Sequence, residues 1–246
     1  CNAGCPQCHR TDPNGLGKID WLPLLSWNLK KFINAYPPST LRMIKRFEIC
    51  GTWGDPIMVK DILKICRYII ENSDTYIQLN TNGGMRNDDF WWELGILSRD
   101  RMQVIFDIEG INQEMHSYYR RKVNFETLKL NIQNFTAAGG NAFAHVIVFK
   151  HNQNHIEQIL DMCYNELEMT DHLVQPSNRF NKEGKEDYID ENGVPFVLEE
   201  ATLPLDDARY KLPAPHRDHK WWEEKGNEMI YNKDTSNEKS HKTRNL

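Results

Sequence analysis

The sequence has no apolar run long enough to cross a membrane, no recognisable signal segment, no internal repeat and no low-complexity tract. Its formal net charge of -5 gives no overall attraction to nucleic acid, although residues 120–122 could form a local basic groove. Six cysteines, three of them within residues 1–8, do not form the framework of a small secreted disulfide protein. We therefore expect a cytoplasmic protein that does not associate with a membrane.

The chain also lacks an initiating methionine, because it begins at Cys1. A native coding sequence does not start at cysteine, so Cys1 is either a processed N-terminus, as in a lipoprotein, or the cut edge of a fragment. We favour the interpretation as a fragment of a longer protein. At 246 residues the fragment is still long enough for one large α/β domain with a sizeable core.

Short segments rich in β-branched and aromatic residues alternate with patterns of helical periodicity. The predicted strands are residues 46–50, 76–81, 102–108, 143–149 and 172–175. The predicted helices cover residues 62–70, 125–135 and 156–167, with an earlier one near 23–36. This order is typical of an α/β fold with a parallel sheet, either doubly wound or a (β/α) barrel. The nearly continuous apolar character of the strands predicts that both faces of the sheet are covered.

The pattern divides the chain into three parts. Residues 1–176 carry the strand and helix alternation. Residues 177–210 are irregular, with a turn at 191–193 that could close a hairpin. Residues 211–246 contain little apolar material, and we interpret them as a polar linker or tail leading to a further domain.

The unusual loops all follow predicted strands. The sequences GTWGDP, NGG, DIEG and KHNQN come at or directly after the first four strands. Ligands of parallel α/β sheets bind at the carboxyl ends of the strands, so these loops are expected to share one edge of the sheet. The loop that contains Cys1, Cys5 and Cys8, called the cysteine loop below, precedes the first helix. It occupies the same kind of position if a strand stands before Cys1.

The three cysteines of this loop allow three interpretations. Cys1, Cys5 and Cys8 have the spacing CxxxCxxC, which suits an iron-sulfur cluster with one iron left open for another ligand. Cys5 to His9 spells CxxCH, the attachment sequence of c-type haem, and His9 could also be the fourth ligand of a zinc ion. The cysteine spacing alone leaves all three interpretations open.

The ordered series of loops carries a resemblance. CxxxCxxC, then GDP, TNG, the DIEG segment and an asparagine-rich turn resemble the radical S-adenosylmethionine (SAM) enzymes over residues 1 to about 176. The run VIFDIEGINQEMHSYYR is most similar to the branch of sulfatase and peptide maturases, which carry a C-terminal auxiliary-cluster domain of the SPASM or twitch type. The resemblance implies a partial (β/α)6 TIM-like barrel with its first strand before Cys1. It also implies a cysteine-containing extension beyond Leu246, since no cysteine follows Cys163.

The resemblance implies an oxidoreductase chemistry as well. A [4Fe-4S] cluster would cleave SAM reductively to a 5'-deoxyadenosyl radical that abstracts hydrogen from a substrate, here a peptide or protein. An electron donor such as flavodoxin or ferredoxin would supply the electron. Two alternatives remain: the same chemistry on a nucleotide or tRNA, and a non-catalytic iron-sulfur or zinc-binding barrel.

Site residues follow from the resemblance position by position, with no side chain assigned as catalytic. The three cysteines would bind the cluster, the turn Gly54, Asp55 and Pro56 would hold the SAM amino group, and Arg120 would pair with the SAM carboxylate. Four further positions would line the SAM site: Asn82, Asn152 and, as departures from the usual residues, Gln7 and Asp107. The remaining cysteines Cys50, Cys66 and Cys163, and His116, are expected to be packing residues.

Overall fold

The chain folds around one parallel sheet. The structure, a computed structural model, describes residues 1–203 except 24 and 52. The five sheet strands run in chain order: β1 (Arg46–Ile49), β2 (Tyr76–Thr81), β3 (Met102–Asp107), β4 (Ala142–Val148) and β5 (Asp171–Pro176). Every neighbouring pair is parallel. A sheet that grows in one direction without reversing is the arrangement of a (β/α) barrel and not of a doubly wound fold, which confirms the predicted partial barrel.

Helices connect the strands and cover one face of the sheet. They are α1 (Leu29–Ala35), α2 (Pro38–Leu41), α3 (Ile62–Asn72), α4 (Asp88–Leu97), α5 (Gln113–Tyr119), α6 (Phe125–Ala137) and α7 (Ile156–Asp161), the last of which continues as a π-helical turn, Met162–Glu166. A 3-10 turn, Pro56–Met58, follows β1. The helix expected near 23–36 is shorter than predicted, because α1 begins only at Leu29.

Asparagine begins four of these helices. The side chains of Asn28, Asn87, Asn112 and Asn124 accept a hydrogen bond from the backbone N–H three residues later, at the start of α1, α4, α5 and α6. Such a cap satisfies an N–H group that has no partner within the helix.

The two faces of the sheet differ in character. On β2, Ile77, Leu79 and Thr81 are buried against the helices, whereas the alternating residues Gln78 and Asn80 are only half-buried on the other face. The expectation that apolar layers cover both faces is therefore wrong for this strand. On β2, the face turned away from the helices is polar, whereas Ile105 and Phe143 on the same face of β3 and β4 are apolar and buried.

A hairpin follows the sheet. β6 (Lys185–Ile189) and β7 (Pro195–Glu199) pair antiparallel around the turn indicated by residues 191–193. The hairpin is bonded to the cysteine loop, because Gly15 N–H donates to Ile189 O at 2.8 Å and Ile189 N–H donates to Pro13 O at 3.0 Å. The predicted tail, residues 211–246, lies outside the described residues. Within the described part of the chain, no helix is both long and apolar enough to cross a membrane.

Candidate functional site

The cysteine loop lies against residues from the carboxyl ends of the strands. The Nδ2 of Asn82, directly after β2, donates to Cys1 Sγ at 3.4 Å. The Nη1 of Arg120, at the end of α5, donates to Cys5 Sγ at 3.7 Å. Two of the three sulfur atoms therefore have a polar N–H donor directed at them.

The backbone of this loop is held tightly. Gly4 N–H donates to Arg121 O at 3.0 Å, and a Cβ at Gly4 would lie 2.8 Å from Leu16 O, so only glycine fits there. Cys8 N–H donates to Cys5 O at 3.1 Å and closes a turn between the two cysteines. Cys5 is buried, and burial raises the pKa of its thiol to about 11, against the opposing effect of Arg120.

These cysteines fit an iron-sulfur cluster. Among the residues described, no three His, Cys, Asp or Glu side chains lie close enough together to hold a single metal ion. A [4Fe-4S] cluster does not require that closeness, because each cysteine binds a different iron atom. Hydrogen bonds to ligand sulfurs stabilise the thiolate form, and Asn82 and Arg120 already supply them.

Asp55 joins the loop after β1 to the end of β2. Its carboxylate accepts hydrogen bonds from Ile57 N–H (3.1 Å), from Thr81 Oγ1 (2.9 Å), and from Asn82 N–H (3.0 Å) and Nδ2 (2.7 Å). Burial raises the pKa of Asp55, although these hydrogen bonds act in the opposite direction. The carboxylate is used within the chain, and it fixes the Gly54–Pro56 turn and the Asn82 side chain next to Cys1.

Arg120 is the centre of a buried charge cluster. Its Nε and Nη2 each donate to one oxygen of the Glu109 carboxylate at 2.7 Å, and Nη2 also lies 3.2 Å from Asp107 Oδ1. His145 Nδ1 lies 2.8 Å from the same Asp107 oxygen. Burial alone would raise the pKa of Asp107, but Arg120 and His145 outweigh it and hold that pKa below its usual value. Burial alone would lower the pKa of Arg120, but Asp107 and Glu109 outweigh it and raise that pKa, so the guanidinium is charged.

Asn152, in the turn after β4, supports this cluster. Its Oδ1 accepts from Phe149 N–H at 2.8 Å, and its Nδ2 donates to Glu109 O at 3.1 Å and to Ile147 O at 3.0 Å. Asn152 is fully buried, so the structure uses its amide to join the ends of β3 and β4.

Gln7 faces the hairpin. Its Oε1 accepts from Ser177 Oγ at 2.6 Å and its Nε2 donates to Glu186 Oε2 at 3.2 Å. A cleft of about 720 Å³ lies between the cysteine loop and the hairpin, and its lining includes Gln7, Cys8 and Tyr188. Through these contacts Gln7 fixes one side of the cysteine loop.

The structure adds residues that the sequence motifs leave unassigned. Glu109 and His145 complete the charge cluster, and Thr81 completes the Asp55 network. Glu109 could have been found from its spacing, because it follows Asp107 by two residues at a strand end, where alternate residues share a face. No local signal in the sequence identifies His145, which reaches Asp107 only through the pairing of β3 with β4.

Among the residues expected to pack, three are placed as predicted. Cys66, Cys163 and His116 are buried. Cys50 is exposed, so the expectation for that residue is wrong. It directly follows Ile49, the last residue of β1, and begins the loop that leads to Pro56.

Solved structures share this architecture. Streptococcus suis SuiB bound to S-adenosylmethionine matches with a TM-score of 0.57 and 13% identity, over 74% of this chain and 39% of SuiB. SuiB bound to precursor peptide SuiA matches with a TM-score of 0.56 and 14% identity, over 72% and 37%. Native anSMEcpe with bound AdoMet and Kp18Cys peptide matches with a TM-score of 0.53 and 13% identity, over 72% and 48%. The chain thus spans less than half the length of these proteins, and at such identity the likeness shows the fold.

Sequence comparison gives the family. Comparison with curated proteins yields no match. The family described as the radical SAM superfamily matches residues 1–163, which is well over half of the chain and includes all three loop cysteines. The chain therefore belongs to the radical SAM superfamily.

Proposed function

We propose that the protein containing this chain is a radical SAM enzyme that abstracts hydrogen from a peptide or protein substrate. Proteins of this superfamily bind a [4Fe-4S] cluster and SAM, and these are the cofactors. The observation that carries the proposal is the position of the cysteine loop, with Asn82 and Arg120 donating to two of its sulfur atoms. Two of the residues proposed to bind SAM thus contact two of the proposed cluster ligands.

The cluster, when bound, supplies the electron that cleaves SAM to methionine and a 5'-deoxyadenosyl radical. Cys1, Cys5 and Cys8 would hold it. Asp55 keeps the Gly54–Pro56 turn against Asn82 and so fixes the main chain proposed to bind the SAM amino group.

Arg120 offers the positive charge for the SAM carboxylate. In the structure that charge is already shared between Glu109 and Asp107, so an incoming carboxylate would compete with them. A bidentate guanidinium suits either partner. Asp107 lies at the end of β3, and His145 contacts its carboxylate. Asp107 therefore keeps a partner when Arg120 binds another carboxylate.

The proposed substrate class rests on the structural neighbours and on three polar side chains of the sheet face that the helices do not cover. SuiB was solved with a precursor peptide and anSMEcpe with a peptide, as their descriptions state. The half-buried side chains Gln78, Asn80 and His145 offer hydrogen bonds on the face that the helices do not cover. Such groups suit the amides of a peptide. We further propose a cytoplasmic protein that receives its electron from a donor such as flavodoxin or ferredoxin.

The test is the formation of 5'-deoxyadenosine. The protein is reconstituted with iron and sulfide without oxygen, supplied with SAM and a chemical reductant, and the products are measured by mass spectrometry. Replacement Cys5→Ser should abolish both the cluster absorption and the product, because serine is a poor iron ligand. The matched change Cys50→Ser, at an exposed cysteine outside the CxxxCxxC motif, should leave both intact.

Candidate peptides carrying deuterium then identify the substrate, because a true substrate transfers deuterium into 5'-deoxyadenosine. Transfer from a nucleotide or tRNA and from no peptide would overturn the substrate class. A protein that binds cluster and SAM yet forms no 5'-deoxyadenosine under strong reduction would overturn the enzymatic proposal and leave a non-catalytic barrel.

A further inference from the structure

Arg10 is buried inside the cysteine loop. It follows Cys8 by two residues, and it is 7% exposed. Its Nη1 donates to Ala3 O at 2.6 Å and its Nη2 donates to Cys1 O at 2.8 Å. The guanidinium is thus bonded to the main chain of a proposed cluster ligand.

The charge of Arg10 has no counter-charge among the described residues. No described carboxylate forms an ion pair with it, and its Nε is buried without a hydrogen-bond partner. Arg120, the other buried arginine beside a loop cysteine, differs in this respect, because Glu109 and Asp107 both pair with it. A buried charge without an opposite charge is strongly unfavourable, so an anion close to Arg10 would stabilise this part of the fold.

The cluster supplies such an anion. Its oxidised core carries two positive charges and its three cysteine thiolates carry three negative charges, so the assembly is negative, and reduction by one electron makes it more negative. We propose that Arg10 is the counter-ion of the cluster and raises its reduction potential by favouring the reduced form. The claim concerns the cluster ligation proposed for the three cysteines and is independent of the substrate.

Arg10 also positions the loop backbone, because it donates hydrogen bonds to the carbonyls of Ala3 and Cys1. Two variants separate this positioning role from the effect of its charge. Arg10→Gln removes the charge and keeps an N–H donor. Arg10→Lys keeps the charge and loses the two-pronged donor. A matched control is Arg179→Gln, because Arg179 Nη1 donates at 2.9 Å to the carbonyl of Gln7 in the same loop, yet Arg179 is exposed and its charge is screened.

The experiment is a redox titration of the anaerobically reconstituted wild type and the three variants, without SAM, with the reduced cluster followed by electron paramagnetic resonance. Iron and sulfide content is measured first. For Arg10→Gln we expect the equilibrium constant for one-electron reduction to fall about tenfold, which is a shift of about 59 mV to lower potential. Arg10→Lys should stay much closer to the wild type, and Arg179→Gln should not shift.

Each outcome decides the matter. An unchanged potential in a fully loaded Arg10→Gln protein, or an equal fall in Arg10→Lys, overturns the charge assignment and leaves a positioning residue. If the Arg10→Gln protein binds no cluster, the Arg10→Lys protein decides. A cluster in the lysine variant alone supports the role of Arg10 as counter-ion, and the absence of a cluster from both variants overturns it. A wild type that binds no cluster refutes the ligation by the three cysteines instead.

Discussion

Replacing Glu109 by glutamine should weaken the fold and strengthen SAM binding, two effects of opposite sign. Glu109 is fully buried and accepts two hydrogen bonds of 2.7 Å from Arg120. Glutamine retains one acceptor oxygen and removes the charge. Loss of a hydrogen bond to a charged group costs about 1.5 to 3 kcal/mol of unfolding free energy. The larger cost of an orphaned buried charge is avoided, because Asp107 still lies 3.2 Å from Arg120.

The gain in SAM affinity follows from the same contact. Under the proposed pairing of Arg120 with SAM, the SAM carboxylate has to compete with Glu109 for the guanidinium in the wild type. Without that carboxylate we expect about tenfold tighter binding, or about 1.4 kcal/mol. Arg120→Ala should act in the other direction and weaken SAM binding by about 1.5 to 3 kcal/mol. Calorimetric titration of the cluster-loaded protein measures the affinities, and urea unfolding measures the stability.

Glu93→Gln is the matched control, because Glu93 lies 2.6 Å from Arg67 in an exposed pair. Exposed pairs contribute at most about 1 kcal/mol, so neither measurement should change much. If Glu109→Gln weakened SAM binding as strongly as Arg120→Ala, Glu109 would be needed to orient Arg120, and the idea of competing carboxylates would be refuted.

Three further predictions concern stability, each measured by urea unfolding. Burial lowers the pKa of His116 to about 3, so the folded protein keeps this side chain neutral while the unfolded chain binds a proton below pH 6.5. As the pH is lowered from 6.5 toward 3, the unfolding free energy should fall by up to about 1.4 kcal/mol per pH unit. His116→Asn should reduce that slope. Gly83→Ala should cost about 1 to 3 kcal/mol more than Gly193→Ala, since both have positive φ but only at Gly83 would the methyl meet a side chain, Leu128, at 2.4 Å. Thr81→Val should cost about 1 to 3 kcal/mol by removing a hydroxyl donor from buried Asp55, and an unchanged stability would show that water replaces it.

Strands with strong local signals could be predicted from the sequence. The strand expected at 76–81 coincides with β2, and the one expected at 102–108 differs from β3 by one residue. The sequence patterns do not predict α4, because Phe90, Trp91 and Trp92 are adjacent and hide the helical period. Its Gly95 has a structural reason, since a Cβ there would lie 2.5 Å from Phe135 O of α6.

The candidate site could be predicted only as far as its motifs reach. The motifs identify the cysteines, Asp55 and Arg120, because these residues stand at recognisable spacings. They do not show that Asp55 bonds Thr81 or that Arg120 bonds Glu109, because such pairings depend on which strand ends meet. Nor do they show that Arg10 is buried, since an arginine beside a cysteine motif is equally compatible with a solvated surface.

The contacts of Gln7 have a consequence for the order of events during protein synthesis. Gln7 bonds Ser177 and Glu186, which follow it by 170 and 179 residues along the chain. Ribosomes add about 5 to 20 residues per second, so Gln7 leaves the ribosome roughly 9 to 36 seconds before the residues that fix it. During that interval Gln7 lacks both of these partners. The cysteine loop can therefore take the form that these contacts hold only after the chain has been synthesised as far as Glu186.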